Sequence, residues 1–495
     1  MINNRGFMEI AREERAEDPV EKRIVRWSEF RHTLSPQKAI EQAERCMECG
    51  TPFCAQACPV HNLAPEFNDD VRRGEWKQAW LCLASTNNFP EFTSRVCPAL
   101  CEGSCSLGFA KDSSVTIQAI ENAIVERAWK EGWVVPLIPK EKSGKKVAVV
   151  GSGPSGLACA QQLARAGHDV TVYEKNERPG GLLRFGIPDF KLSKSVLDRR
   201  LEQMKAEGVK FVVSTAVGSD RFSPGVGSKA KKKIAASDLI NAYDAVVLCG
   251  GSEVPRDLDV PGRKLQGVHF ALELLQACNR EVSGEGKSKI CVKDQDVIVI
   301  GGGDTGADVV GTAHRQGARS VMQVEINPEP PEKADRFAVW PDWPRILRTS
   351  AFHEEGCERR WCFGTKEFLG DKKGHLRAVK AVQLEWSHDA VTGRRVFKEK
   401  PGTEMEIPVQ AAFLAMGFVH PSAEVLDAFG VEKDLRGNAR AAAAGASAYQ
   451  TNVPKVFVAG DMRRGQSLVV RAIAEGRHAA KVVDKYLMGE SFLED

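Results

Sequence analysis

The chain has 495 residues, too many for one hydrophobic core, and this length predicts about three domains. Apolar residues at 42% and charged residues at 27% place it among ordinary globular proteins, neither disordered nor fibrous. A net charge of only +3 gives nucleic-acid binding no support, and no run approaches the ~20 apolar residues of a membrane span.

The opening stretch, MINNRGFMEIAREERAEDP, is charged where a signal peptide is apolar, so a cytoplasmic location is expected. Fourteen cysteines, more than half of them between residues 46 and 105, argue for metal ligation in a reducing compartment over disulfides. Residues 1–140 carry helical patterning and few strand signals, which predicts an N-terminal α-helical domain. Within it the cysteines fall as Cys46-x2-Cys49-x4-Cys54-x3-Cys58-Pro59, then Cys82, then Cys97-x3-Cys101-x3-Cys105. Thiolates so spaced suit iron–sulfur clusters, because soft sulfur holds iron and tight turns bring the ligands round one cubane. Structural zinc also accepts four cysteines, so iron and acid-labile sulfide content would tell the two apart.

Two 4Fe–4S clusters need eight ligands, and the two tight groups supply seven. Cys82 lies in AWLCLAS, an apolar helical stretch, and reads as core. Its rival for the eighth place is Glu121, which follows Ile120, comes four after Ile117 and three before Ile124, at the edge of a helix's apolar face. A carboxylate there needs a cation or a hydrogen-bonded partner.

Residues 136–146 (PLIPKEKSGKK) read as a linker. A buried-strand run at 147–150 then meets Gly151-Ser-Gly153-Pro-Ser-Gly156, a helix (LACAQQLARAG) and a second strand at 170–174 ending in Glu174. In this plan the first glycine makes the tight turn, the second admits a pyrophosphate and the third packs helix on strand, while the acid accepts bonds from a ribose. Gly180-Gly181-Leu-Leu-Arg-Phe-Gly186 follows, a turn that lets backbone approach a bulky ring system. Residues 229–233 (KAKKK) read as a solvated loop, and 245–248 as a strand.

The plan recurs at 297–300, Gly301-Gly-Gly303-Asp304-Thr305-Gly306, a helix to Gly317 and a strand at 320–325. Two such units imply two nucleotides. Coenzyme choice at the second is open: Glu325 favours a free 2′-hydroxyl, as in NADH, whereas Arg315 and Arg319 are candidates for the 2′-phosphate of NADPH. Cys357-x4-Cys362 lies far from the first fingerprint and reads as two unremarkable thiols, while Cys159, Cys249, Cys278 and Cys291 read as small core residues. Strands are expected at 378–386, 411–417 and 456–459, and residues 441–444 as a loop.

The late Gly460-Asp461 pair, followed by a helix, resembles the two-dinucleotide-domain flavoproteins. That resemblance implies FAD on the first unit, held by Gly151, Gly153, Gly156, Glu174, Gly181 and Gly186, with Asp461 on the ribityl chain and Ser467 near the ring. It also implies NADPH on Gly301, Gly303, Asp304, Thr305 and Gly306, and a nicotinamide domain inserted into the flavin domain. The expected fold is α/β: an α-helical iron–sulfur domain (1–140), then two glutathione-reductase-like Rossmann domains. The expected boundaries are 146–260 and 420–495 for the FAD-binding parts, and 261–419 for the NAD(P)H-binding part.

Across residues 5–490, through GFMEI, CMECGTPFCAQACP, VCPALCEGSC, GGLLRFGIPDFKL and VAGDMRRGQSLVVRAIAEGR, the chain resembles the small (β) subunits of bacterial glutamate synthase. The N-terminal part of dihydropyrimidine dehydrogenase is similar. The resemblance implies interleaved ligands, with Cys46, Cys49, Cys54 and Cys105 on one 4Fe–4S cluster and Cys58, Cys97, Cys101 and Glu121 on the other. It implies that hydride passes from NADPH to FAD, needing no side-chain acid or base, and that single electrons then leave through the clusters. Their destination would be a large (α) subunit carrying FMN, which makes glutamate from glutamine and 2-oxoglutarate. With no cysteine before Cys46, no glutaminase nucleophile is evident in this chain. A pyrimidine reductase or ferredoxin transhydrogenase type of subunit is the alternative.

Overall fold

The computed structural model describes residues 5–111, 113–218, 230–333, 335–389, 392–445 and 447–494. Among these, ten helices precede the first strand. The longest, Ile117–Lys130, buries Ile117, Ile120 and Ile124 against helices Ala64–Arg72 and Trp76–Thr86, as its spacing of apolar residues demands.

A five-stranded parallel sheet follows, ordered Val456–Val458, Ala245–Leu248, Lys146–Val150, Asp169–Tyr173, Lys210–Val212. Its central strands are almost wholly buried, which explains their continuous valine-rich sequence: a parallel sheet is covered on both faces. Helices Pro154–Arg165 and Val469–Met488 pack together over one face, and helices Ala236–Ala242 and Ala423–Phe429 contribute to the other.

The second sheet is also five-stranded and parallel, ordered Glu358–Arg360, Ser320–Val324, Asp296–Ile300, Ala411–Leu414, Val268–Phe270. Helices Ala271–Val282 and Asp304–Arg315 cover one face. An antiparallel sheet of Phe363–Gly370, Leu376–His388, Arg395–Glu399 and Met405–Pro408 packs toward the other. Only its Leu376–His388 strand has a counterpart in the sequence reading. The chain leaves the first sheet and returns to it through an antiparallel pair, Val254–Pro255 with Phe418–His420. The second unit is therefore inserted in the first.

Two readings need correction. The lysine stretch is not all loop: strand Lys232–Ala235 pairs in parallel with Thr215–Gly218, while Lys229 lies outside the described residues. Cys291 is exposed, unlike the buried Cys159, Cys249 and Cys278. No described helix is long and apolar enough to cross a membrane.

The helical region is packed into the rest. Cys58, Phe89 and Phe92 join the core under the first sheet, and the buried Arg200 donates to Glu91 at 2.6 Å. Farther forward, Phe30 meets Phe352 edge-on, and Trp27 leans on Phe190. These contacts fix the helical region against both sheet-bearing units.

Candidate functional site

One cavity of about 1130 Å³ runs from the first glycine loop to the second. Both loops sit where they must, at the C-terminal ends of parallel strands and the N-termini of helices Pro154–Arg165 and Asp304–Arg315. Gly151 takes φ +101°, and a Cβ there would lie 2.5 Å from the Cys249 carbonyl oxygen; Gly301, at φ +125°, would run into that of Ala415. Beyond Gly153 and Gly303, by contrast, there is open space within 4 Å, the gap a pyrophosphate needs. Gly156 and Gly306 pack the helices back onto these turns.

At the first loop Glu174 is 4% exposed, and its Oε2 accepts from Ser152 N at 3.2 Å and from the Ser152 hydroxyl. Its Oε1 accepts from Asn176 N at 2.8 Å and Asn176 Nδ2 at 3.0 Å. Burial raises the Glu174 carboxyl above its ordinary range, against the lowering effect of these bonds. Gly180 N donates to Ser152 Oγ at 2.9 Å, which draws the turn that holds Gly181 over the loop. Gly186 ends the short helix Leu182–Phe185 and does not line the cavity, so its placement among flavin contacts is corrected: it turns the chain. Asp461 and Ser467 do line it, with Ser467 Oγ donating to Asp461 Oδ1 at 2.6 Å. Burial raises the Asp461 carboxyl as well.

The second loop repeats the arrangement. Glu325 Oε2 accepts from Gly302 N at 2.6 Å, and Oε1 accepts from Asn327 N at 3.1 Å and Asn327 Nδ2 at 2.7 Å. Asp304 and Thr305 line the cavity at the start of their helix. Sequence reading missed both asparagines, although Glu-x-Asn closes the second strand of each unit and was there to be seen. It also missed Lys191, whose Nζ donates across the units to Asp308 Oδ1 at 2.8 Å, and burial lifts the Asp308 carboxyl to about 6.

Arg315 and Arg319 are corrections. Arg315 closes its helix, about 16 Å along the axis from the glycine loop at ~1.5 Å per residue. There it donates to both Glu355 oxygens, at 2.7 and 3.0 Å, and stacks 3.9 Å from the Phe190 ring centroid. Arg319 stands at the N-terminal edge of the sheet, bound to Asp296 at 3.0 Å and Gln410 at 3.2 Å. Neither lines the cavity.

The structure brings the cysteines into two sets. Cys46, Cys49, Cys54 and Cys105 interact electrostatically with one another, while Cys58, Cys97 and Cys101 gather with Glu121. Burial pushes Cys54 and Cys97 to about 12 and Cys58 to about 11, so they ionise only against a cation. Glu121 rises to about 8 by burial, although Thr93 Oγ1 and Asn87 Nδ2 donate to it at 2.5 and 3.1 Å. Its polar partners are neutral, which leaves the carboxylate short of a cation. No three described His, Cys, Asp or Glu side chains converge as a single metal ion requires.

Cys82 joins neither set: its electrostatic neighbours are Asp70 and Glu66, and its thiol lies 3.9 Å from the Leu63 carbonyl. Cys357 and Cys362 are free thiols outside the cavity. Val96, which the sequence does not single out, forms part of the cavity wall beside Cys97. The cavity therefore abuts the set that contains Glu121.

Residues 23–133 match the family model for dihydropyrimidine dehydrogenase domain II, 4Fe–4S cluster, and residues 145–476 that for pyridine nucleotide-disulphide oxidoreductases. The glutamate synthase [NADPH] small chain of Mycobacterium tuberculosis is 48% identical over 482 residues, covering 96% of this chain and 94% of its own. The glutamate synthase [NADH] of Saccharomyces cerevisiae is 42% identical over 99% of this chain, which spans 22% of it. Among solved structures, Mycobacterium tuberculosis FprA in complex with NADPH shares the fold with TM-score 0.52 and 18% identity, over 71% of this chain and 87% of its own. With both nucleotide units and the cysteine-bearing helices matched along its full length, the chain belongs to the glutamate synthase small-chain family.

Proposed function

We propose that this chain is the electron-input subunit of a glutamate synthase, oxidising NADPH, the coenzyme named for its bacterial relatives, and delivering electrons to a large subunit that carries FMN. The observation that carries this reading is the single cavity, which joins both glycine loops and ends on Val96 beside Cys97. FAD would be held by Gly151, Gly153, Glu174, Gly181, Asp461 and Ser467, and the coenzyme by Gly301, Gly303, Asp304 and Thr305. Two 4Fe–4S clusters would be held by the set of four cysteines and by the set completed by Glu121. When bound, these groups supply hydride acceptance at the flavin and one-electron transfer at the clusters.

The chain's own residues position. The two helix N-termini favour the pyrophosphates, Glu174 orients the loop above it, and the Lys191–Asp308 pair ties the nicotinamide unit to the flavin unit. The domain boundaries consistent with this reading are 1–140, 146–260, 261–419 and 420–495. The test is anaerobic addition of NADPH to the purified chain, together with iron, sulfide and flavin analysis. Bleaching of the flavin, about eight irons per chain, and glutamate formation only once the large subunit is added are the expected results. A chain whose flavin NADPH leaves oxidised would sink the reading.

A further inference from the structure

Between strand Ser320–Val324 and helix Ala351–Glu354 the nicotinamide unit reaches out to the helical region. Leu347 N donates to Pro331 O at 2.8 Å, which draws the segment between them into a strap. Its aromatic side chains land on the elements that bear the four-cysteine set. The Trp340 ring lies 4.4 Å, centroid to centroid, from Phe53, which precedes Cys54, and 5.0 Å from Phe109, on the helix Ser106–Lys111 that follows Cys105. Trp343 packs so closely on Gly103 that a Cβ there would meet its ring at 2.8 Å, and Arg348 covers Trp343 at 4.1 Å from the centroid. The buried Ser104, next to Cys105, donates its hydroxyl to Pro341 O at 2.6 Å and accepts at its carbonyl from Trp340 Nε1 at 3.3 Å.

We propose that Trp340 and Trp343 are positioning residues for the cluster on Cys46, Cys49, Cys54 and Cys105: they clamp the elements that carry Cys54 and Cys105 and close the seam between them to water. The proposal rests on the cluster reading above.

Helices Phe53–Ala57 and Leu100–Gly103 are about one turn each, too short to hold their shape without packing. The strap supplies that packing on both sides of the seam. This set also lies nearer the surface than its neighbour: Glu48, Gly50 and Thr51, around Cys49, are exposed, whereas Cys58 is in the core under the first sheet and Cys97 packs against it. Reduction adds negative charge to a cluster, and water stabilises that charge, so a dry aromatic cover holds the potential down and its loss raises it. Neither tryptophan lines the nucleotide cavity, which makes their effect on the cluster separable from hydride transfer.

The experiment strips iron from the full-length holoprotein with a chelator in the absence of air, and measures cluster potentials by redox titration, in wild type, Trp340→Ala and Trp340→Phe. Trp340→Ala is expected to give up half of its iron roughly tenfold faster, equivalent to ~1.4 kcal/mol of lost aromatic packing, and the other half at the wild-type rate. One cluster potential should rise, while flavin bleaching by NADPH stays as in wild type. Trp340→Phe, which keeps a ring against Phe53 and Phe109, should release iron at close to the wild-type rate. A flavin-loaded Trp340→Ala with wild-type release and potentials overturns the proposal, as does equal acceleration of all the iron, which marks general loosening. Should that variant fail to fold, Trp343→Ala decides by the same two readouts. Wild-type protein that holds no iron removes the cluster reading and this inference together; an iron-loaded wild type matched by its variants sinks the inference alone.

Discussion

Arg23 and Glu355 lie 332 positions apart in the chain, yet the Arg23 guanidinium donates to Glu355 Oε1 at 3.0 Å in the protein interior. Arg315 donates to the same carboxylate, and the side chains of both Arg315 and Glu355 are fully buried. One carboxylate thus ties the amino-terminal segment to the nicotinamide unit.

Replacing Glu355 with Ala leaves the buried Arg315 without its carboxylate, while Arg23 keeps Glu17, and removal of one partner from such a network costs about 3–5 kcal/mol. Urea unfolding should show that loss. Arg319→Gln touches an exposed pair only; its stability should change by less than about 1 kcal/mol, and its KM for either coenzyme should stay within about twofold. A large rise in KM for Arg319→Gln would restore it to the coenzyme site.

Gly151→Ala and Gly301→Ala should separate the two nucleotides. Each forces an L side chain into φ above +100° and against a carbonyl, a strain of order 1–3 kcal/mol before the clash is counted. The first variant is expected to purify depleted of flavin. The second should keep its flavin and its visible spectrum, but bleach at least tenfold more slowly at low coenzyme concentration. Loss of flavin from both would mean that the loops are not functionally distinct.

Cluster content distinguishes the rival eighth ligands. Cys82→Ser should retain full iron and sulfide, because that thiol lies apart from both cysteine sets. Cys58→Ser or Glu121→Ala should lose about half the iron, one of two four-iron clusters. Full iron in Glu121→Ala together with loss in Cys82→Ser would reverse the assignment.

Iron-free protein should also report on Glu121 through pH. Its carboxyl rises from 4.5 to about 8 on folding, because burial disfavours the charge. The folded state then holds a proton that the unfolded state releases, so stability falls as pH climbs from 4.5 toward 8. Denaturation midpoints of the iron-free chain should therefore decline over that window more steeply than those of iron-free Glu121→Gln. Parallel curves would show that Glu121 is solvated or paired with a cation that folding already supplies.

How much of this was legible beforehand follows from how local each signal is. The glycine loops, their strands and the insertion could be read because turn, strand and helix N-terminus are contiguous in sequence. The cysteine sets could not be sorted by spacing, since Cys105 and Cys54 meet only through the packing of helices Phe53–Ala57 and Leu100–Gly103. Arg315 and Arg319 failed for a different reason. They are near the fingerprint in sequence, but a twelve-residue helix carries its last turn to the opposite end of the sheet from its first. Strand direction alone would have excluded them. Val96 carries no chemical signal of its own and becomes part of the site only through tertiary packing.

That valine has a physiological corollary. The wall it lends to the nucleotide cavity belongs to the helix Pro90–Val96, whose end leads directly into Cys97. Phe89 and Phe92 seat that helix in the core under the first sheet, so the wall stands on packing alone. On the proposed reading a cell short of iron would accumulate a yellow chain lacking only its clusters, whereas damage to this core would cost the flavin as well.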